Sequence, residues 1–349
     1  MDNFVIIKIF SLTTLSFLLA MTWTPPFCRF LYKYKLGKQI RDDEKTPIFS
    51  KLHAKKSGTP TMGGVLIWGT TLILILSIFY LAKFTNLEFF HKLNFLTRAQ
   101  TLLPLGALVA SAIVGLIDDL FNIKQVGPYS GLRMRHRLII YTLIACFGAY
   151  WFYFKLDWDL IRVPFLGNFE IGWRYIPLFI FTIVATAFSV NETDGLDGLA
   201  GGTLLAAFGT YGAISFIQGK YDLATFCGVI VGSLLAFLWF NIYPARFFMG
   251  DTGAMSLGVT LGIVAMLTNS LLLLPIIGFL FILESGSVIL QVLSKKIRNK
   301  KIFLSTPLHH HLEARGWPEP NIVMRFWVIA SISAIISLII SLLDFNSFL

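Results

Sequence analysis

Apolar residues in this chain come neither in alternation nor in amphipathic stripes but in unbroken runs. Ten such runs fall near residues 4–23, 62–82, 100–120, 138–154, 175–191, 199–218, 223–241, 253–270, 272–293 and 322–343. Each is close to the roughly 20 residues a helix needs to cross a hydrocarbon layer about 30 Å thick. Backbone that crosses lipid must satisfy its own hydrogen bonds, so the runs predict helices. The expectation is an all-α, polytopic membrane protein of about ten transmembrane helices, forming one domain over residues 1–349. Thr268-Asn269-Ser270 is a thin separator between the eighth and ninth runs, and Pro275 is a place for the ninth to kink. Between the fourth and fifth runs, residues 155–174 alternate (Ile161, Val163, Phe165) and predict a short hairpin.

Composition agrees. Of 349 residues, 56% are hydrophobic and 14% charged, where a soluble domain carries about a quarter charged. Disordered, fibrous and ordinary cytosolic classes are excluded. Cys28, Cys146 and Cys227 share no metal or redox spacing, and an odd number argues against a disulfide framework. The first run is followed by Trp23-Thr24-Pro25-Pro26, with no small-residue cleavage site, and is read as a retained anchor.

The net charge of +10 raises nucleic acid as a partner until its distribution is examined. Of 29 Lys and Arg, 20 lie in loops after odd-numbered runs and seven in loops after even-numbered ones. The positive-inside rule then puts the odd loops in the cytoplasm and both termini outside. The basic residues are membrane-surface charge, and no nucleic-acid partner is expected.

Five polar segments interrupt the runs, each beside the exit of an odd-numbered one. They are 55–64 (KKSGTPTMGG), Asp118-Asp119, 191–198 (NETDGLDG), 241–251 (NIYPARFFMGD) and 307–313 (PLHHHLE). All five face the cytoplasm on this span count, as a single active-site cleft requires. Gathered carboxylates repel one another unless cations offset them. Hard oxygen ligands favour Mg²⁺, which takes one or two carboxylates plus substrate phosphates and water.

Asp118 and Asp119 point about 100° apart on a helix, so they cannot both reach one atom. Asp194 and Asp197 would share a face if helical, and Gly250-Asp251-Thr252 puts a carboxylate on a turn just before the eighth run. Bland alternatives stand beside each: Asp251 as a helix N-cap, the aspartate pair as a solvated helix end, the three histidines as a surface tract or transition-metal ligands. Asn241, Phe248 and Gln291 taken singly are packing or capping residues. Glu284, deep in the ninth run, is a functional or pairing candidate with Gln291 two turns away. P-loop, Rossmann, zinc and nucleophile-elbow motifs are all absent.

Taken together, GTPTMGG (58–64), the Asp pair, 191–202, FMGDTG (248–253) and PLHHHLEARGW (307–317) resemble the phospho-N-acetylmuramoyl-pentapeptide transferase family. That family lies within the polyprenyl-phosphate N-acetylhexosamine-1-phosphate transferase superfamily. The resemblance implies that undecaprenyl phosphate attacks UDP-N-acetylmuramoyl-pentapeptide, releasing UMP and forming lipid I at the bacterial inner membrane. It implies Mg²⁺ on Asp251, and Asp118 with Asp119 at the lipid phosphate. His309, His310 and His311 would form a loop closing on the sugar nucleotide. Lys56, Asn191, Asp194, Gly195, Leu196, Asp197, Asn241, Phe248 and Gln291 would line the nucleotide pocket. It allows for a homodimer, with no interface readable. Glu192 stands where the family pattern suggests an apolar residue, and Gly286 stands where the ninth span bends. Two rivals remain: transfer of N-acetylglucosamine-1-phosphate to the same lipid, whose histidine loop resembles HxHH, and an ion-coupled transporter, which would carry its charges near the midplane.

Overall fold

A computed structural model describes residues 3–37, 56, 58–85, 87–125 and 131–346. Most of the basic stretch after the first run, 38–55, and Ser57 of the first motif lie outside the described residues. The apolar runs fold as helices: α1 (Asn3–Lys33), α2 (Gly64–Phe84), a short α3 (Glu88–Leu93), α4 (Leu102–Ile123) and α5 (Met134–Lys155). After the hairpin come α6 (Tyr175–Thr193), α7 (Leu199–Ile217), α8 (Tyr221–Asn241), α9 (Gly250–Leu267), α10 (Leu274–Ile277), α11 (Phe279–Arg298), α12 (Leu308–Ala314) and α13 (Glu319–Asn346). Among the described residues nine are long and apolar enough to span a membrane, and the bent pair from the ninth run makes a tenth if it is counted as one span.

The structure departs from the sequence expectations in two places. The first helix continues through Pro25 and Pro26 to Lys33; at 1.5 Å per residue its 31 residues reach about 46 Å, beyond the hydrocarbon layer. The ninth span breaks at Gly278, where the helices on either side meet at 79°. Pro275 instead lies in the first turn of α10, where its missing N–H costs nothing, and α11 runs unbroken through Gly286. The expected hairpin is present: β1 (Leu160–Val163) pairs antiparallel with β2 (Gly167–Glu170), Ile161 opposite Phe169.

Helix α9 is the centre of the bundle. It is 94% buried and packs against α4, α6, α2 and α7. In lipid, helices associate through close packing of small residues, because tails are as apolar as leucine. Gly115 of α4 shows this: a β-carbon there would collide with the backbone of Asp251 and Thr252 at the start of α9. Helices α4, α6 and α8 end, and α7, α9 and α13 begin, at one end of the bundle, so the polar segments all arrive there.

A methyl group at Gly115 should therefore separate α4 from α9. Gly115→Ala should cost about 1–3 kcal/mol, measured as a lowered unfolding midpoint in detergent. Gly106→Ala, on the same helix where a β-carbon meets nothing within 4 Å, should leave the midpoint unchanged or raised.

Candidate active site

Two successive aspartates on α4 have different partners. The Asp118 side chain is fully buried; its Oδ1 accepts the Leu132 N–H at 2.6 Å, and its Oδ2 lies 2.7 Å from Arg137 Nη2. Asp119 turns toward α9, whose Asp251 and Thr252 N–H groups donate to it at 3.1 and 3.0 Å. A carboxylate against the first N–H groups of a helix satisfies orphan donors and complements the helix dipole. The roughly 100° divergence expected on a helix is thus used: one aspartate faces the cleft and its neighbour anchors α9. Gly250, just before Asp251, has φ +74°, and a β-carbon there would collide with Asp119. A left-handed backbone and a close carboxylate together require glycine.

Asp251 lies in the first turn of α9, slightly inside the helix rather than on a preceding turn. Its Oδ2 accepts from Arg137 Nη2 at 2.7 Å and its Oδ1 from Asn191 Nδ2 at 2.8 Å. Arg137 Nη1 donates to Asn191 Oδ1 at 3.0 Å. One guanidinium, from the first turn of α5, therefore ties together Asp118, Asn191 and Asp251, side chains of α4, α6 and α9. Sequence reading counted Arg137 only as loop charge. A helix-start cation with no i±4 carboxylate was the signal available, and it is weak.

The histidine segment is not a surface tract. His309 is fully buried and His310 is 7% exposed. His309 Nδ1 lies 2.8 Å from Glu284 Oε2, and His310 Nδ1 lies 2.6 Å from Glu313 Oε2. Glu284 pairs with His309, not with the neighbourhood of Gln291. Gln291 binds the backbone of 302–303 through three hydrogen bonds at 2.9–3.1 Å, fixing the strap that leads into α12. His311 faces outward and accepts the Leu304 N–H at 3.1 Å; partial burial, then Arg315, hold its imidazole below the ordinary value. A β-carbon on Gly195 would collide with His309 Nε2, so the glycine lets the 194–198 turn close against the histidine. Glu192 is within electrostatic reach of Arg137, Asp251, Glu284 and His309.

The remaining predicted positions form a second lobe. Lys56 Nζ donates to Asp197 Oδ1 at 2.7 Å and to Glu319; Nζ also lies 5.9 Å from the centre of the Phe248 ring. Asp197 Oδ2 accepts the Ala245 N–H at 3.0 Å. Asn241 accepts from Gly198 N–H at 3.0 Å and donates to the Phe247 carbonyl at 2.8 Å. Leu196 packs in a small apolar cluster with Leu199, Leu280 and Ile322. Residues 194–198 form a turn between α6 and α7, so Asp194, half-buried at the end of α6, and Asp197 do not share a helix face. All five polar segments meet at one end of the bundle. Glu319 was not anticipated, since it reads as an ordinary first-turn acid.

A transmembrane helical transferase with its charged groups at one end of the bundle is the class this fold and site define. A glycosyl transferase family 4 model matches residues 101–269, and signature 1 of phospho-N-acetylmuramoyl-pentapeptide-transferase matches residues 56–67. Proteins bearing that name in Geobacillus thermodenitrificans and Bacillus subtilis are each 38% identical over 328 residues, covering 93% of this chain and 95% of theirs. One from Chloroflexus aurantiacus is 37% identical over 329 residues, covering 90% of this chain and 84% of its own. The chain belongs to the phospho-N-acetylmuramoyl-pentapeptide-transferase family.

The two aspartates can be separated by experiment. Asp119→Asn should lose an acceptor for the α9 N–H groups and cost about 0.5–2 kcal/mol of stability. Asp118→Asn should cost more, because it breaks the ion pair between a fully buried carboxylate and Arg137. Unfolding midpoints in detergent decide the ranking.

Proposed function

We propose that this protein transfers phospho-N-acetylmuramoyl-pentapeptide from its UDP-activated donor to undecaprenyl phosphate, at the cytoplasmic face of the bacterial inner membrane. UMP leaves and lipid I forms. The observation that carries the reading is the Arg137 guanidinium between Asp118 and Asp251, with His309 near by across Gly195, at the end of an apolar bundle. A lipid-borne phosphate and a water-soluble diphosphate can meet only at such an end.

An oxygen of the lipid phosphate attacks the β-phosphorus of the donor. The bond from that phosphorus to the bridging oxygen breaks, and UMP departs with the oxygen and the electron pair. One phosphoanhydride replaces another, so no ATP is consumed. A phosphate monoester has its second pKa near 6, so the nucleophile is already largely ionised at neutral pH. Positioning matters more than a strong base, and direct in-line attack is favoured over an aspartyl-phosphate intermediate.

Arg137 suits the positioning role. Its Nε is buried with no partner among the described residues, leaving one donor of a rigid fork for a phosphate oxygen. Asp119 holds Asp251 in register through the α9 backbone. Lys56 beside Phe248 offers a cation for the diphosphate and an aromatic face for uracil. His309, fixed by Glu284, has a buried Nε2 with no partner among the described residues, available for the donor.

The residues fit Mg²⁺. Asp118 and Asp251 each bring one oxygen within 2.7 Å of a single cationic nitrogen, and one or two carboxylates are what this ion takes from a protein. Held there, it would neutralise charge on the donor diphosphate and on the departing oxygen.

Label transfer from each UDP-sugar to polyprenyl phosphate in detergent, with and without Mg²⁺, tests the reading. Label should pass from the muramoyl-pentapeptide donor, with matching UMP release, and not from UDP-N-acetylglucosamine; the reverse preference would overturn it. Asp251→Asn should lower turnover by at least about a thousandfold while the protein remains folded. Positional isotope exchange in the donor without acceptor lipid should be undetectable; exchange would establish a covalent intermediate.

A further inference from the structure

At the end of the bundle away from the carboxylates, the hairpin, the α7–α8 connection and the residues after α9 enclose a cavity of about 340 Å³. That is within the usual size of a small-ligand site. Its walls are fixed. Arg162 of β1 pairs with Asp344 near the end of α13 at 2.6 Å, and the Phe165 N–H donates to the same carboxylate at 2.8 Å. The Arg162 N–H donates to Asn269 Oδ1 at 3.0 Å.

Three polar groups in the lining are not accounted for by this framework. Lys220 donates to the Leu267 carbonyl at 2.7 Å and lies 5.3 Å from the Trp158 ring centre. It forms no carboxylate pair among the described residues. Burial alone pushes its ammonium down to about 8. Trp158 Nε1, a donor, and Gln218 Oε1, an acceptor, are both buried with no partner among the described residues. A buried polar atom left in this state is destabilising unless a ligand satisfies it. The Arg162–Asp344 pair cancels itself, so the lining carries one net positive charge.

A cation, an N–H donor and a separate acceptor specify an anion that also carries a hydrogen-bond donor. Leucines and proline in the lining (Leu160, Leu272, Leu273, Pro164) add apolar surface beside the polar group. The place is where the apolar spans end, at the depth where a bilayer presents its phosphates and where tryptophan is enriched. We propose that this cavity binds a phosphate ester bearing a free hydroxyl, of the phosphoglycerol type: Lys220 and the Trp158 indole N–H hold the phosphate, and Gln218 Oε1 accepts from the hydroxyl. The site is independent of the transfer reaction and of the residues assigned to it.

The test titrates purified protein in detergent with phosphatidylglycerol, phosphatidylcholine and soluble glycerol phosphate, reading the unfolding midpoint. A ligand that binds only the folded state raises the midpoint saturably. Phosphatidylglycerol should do so, and phosphatidylcholine, which lacks the hydroxyl, should be at least fivefold weaker. Trp158→Phe keeps an aromatic ring but removes the pyrrole part of the indole together with its N–H. Measured against that variant's own ligand-free midpoint, phosphatidylglycerol binding should weaken at least threefold. Lys220→Gln should weaken it at least fivefold. A saturable shift with glycerol phosphate would make the free ester sufficient; a shift with the lipid alone would assign the headgroup of a bilayer lipid. Equal responses to the two lipids, or an undiminished response in Trp158→Phe, would overturn the proposal.

Discussion

A single guanidinium ties two carboxylates together at the polar end of this molecule. Asp118 and Asp251 come within 2.7 Å of one nitrogen of Arg137, on three helices whose other surfaces are built for lipid and for one another. Two carboxylates brought this close in a low-dielectric setting would repel unless a cation lay between them. Breaking a buried pair by deleting one partner is far costlier than never having it. The cluster therefore constrains the relative placement of α4, α5 and α9, and with Asn191 also that of α6.

That constraint explains why the centre of the bundle is so tightly made. Helix α9 is wholly enclosed, and its first turn must bring Asp251 to Arg137 while its backbone N–H groups meet Asp119. Gly115 and Gly250 remove the side chains that would hold the helices apart. The turn at 194–198 closes against His309 by the same device at Gly195. Around this centre the site divides into a carboxylate–arginine lobe and a lobe of Lys56, Asp197, Glu319 and Phe248, a division suited to two substrates of different solubility. In the family to which the chain belongs, one substrate is anchored in the membrane and the other is a sugar nucleotide.

Much of this was legible from residues alone. Unbroken apolar runs report transmembrane helices directly, because no other structure spans lipid without stranded backbone groups. The five motifs were legible because polar side chains in such runs are expensive. Partners were harder. Arg137, Glu284 with His309, and Glu319 pair across tens to hundreds of residues, and one sequence carries no register for such contacts. The tie from Gln291 to the 302–303 backbone was not legible, because an amide that anchors a strap looks the same in sequence as one that lines a pocket. The break at Gly278 was missed because Pro275 is the louder signal, although proline in a first turn breaks nothing.

The most direct test of the central claim is a double-mutant cycle on unfolding free energy with Arg137→Met and Asp251→Asn. If the two side chains act as one buried charge cluster, the double variant should lose less than the sum of the single losses, by at least about 1 kcal/mol. Losses that simply add would mean the guanidinium and the carboxylate stabilise the bundle independently, and the account of how its polar end is held together would fail.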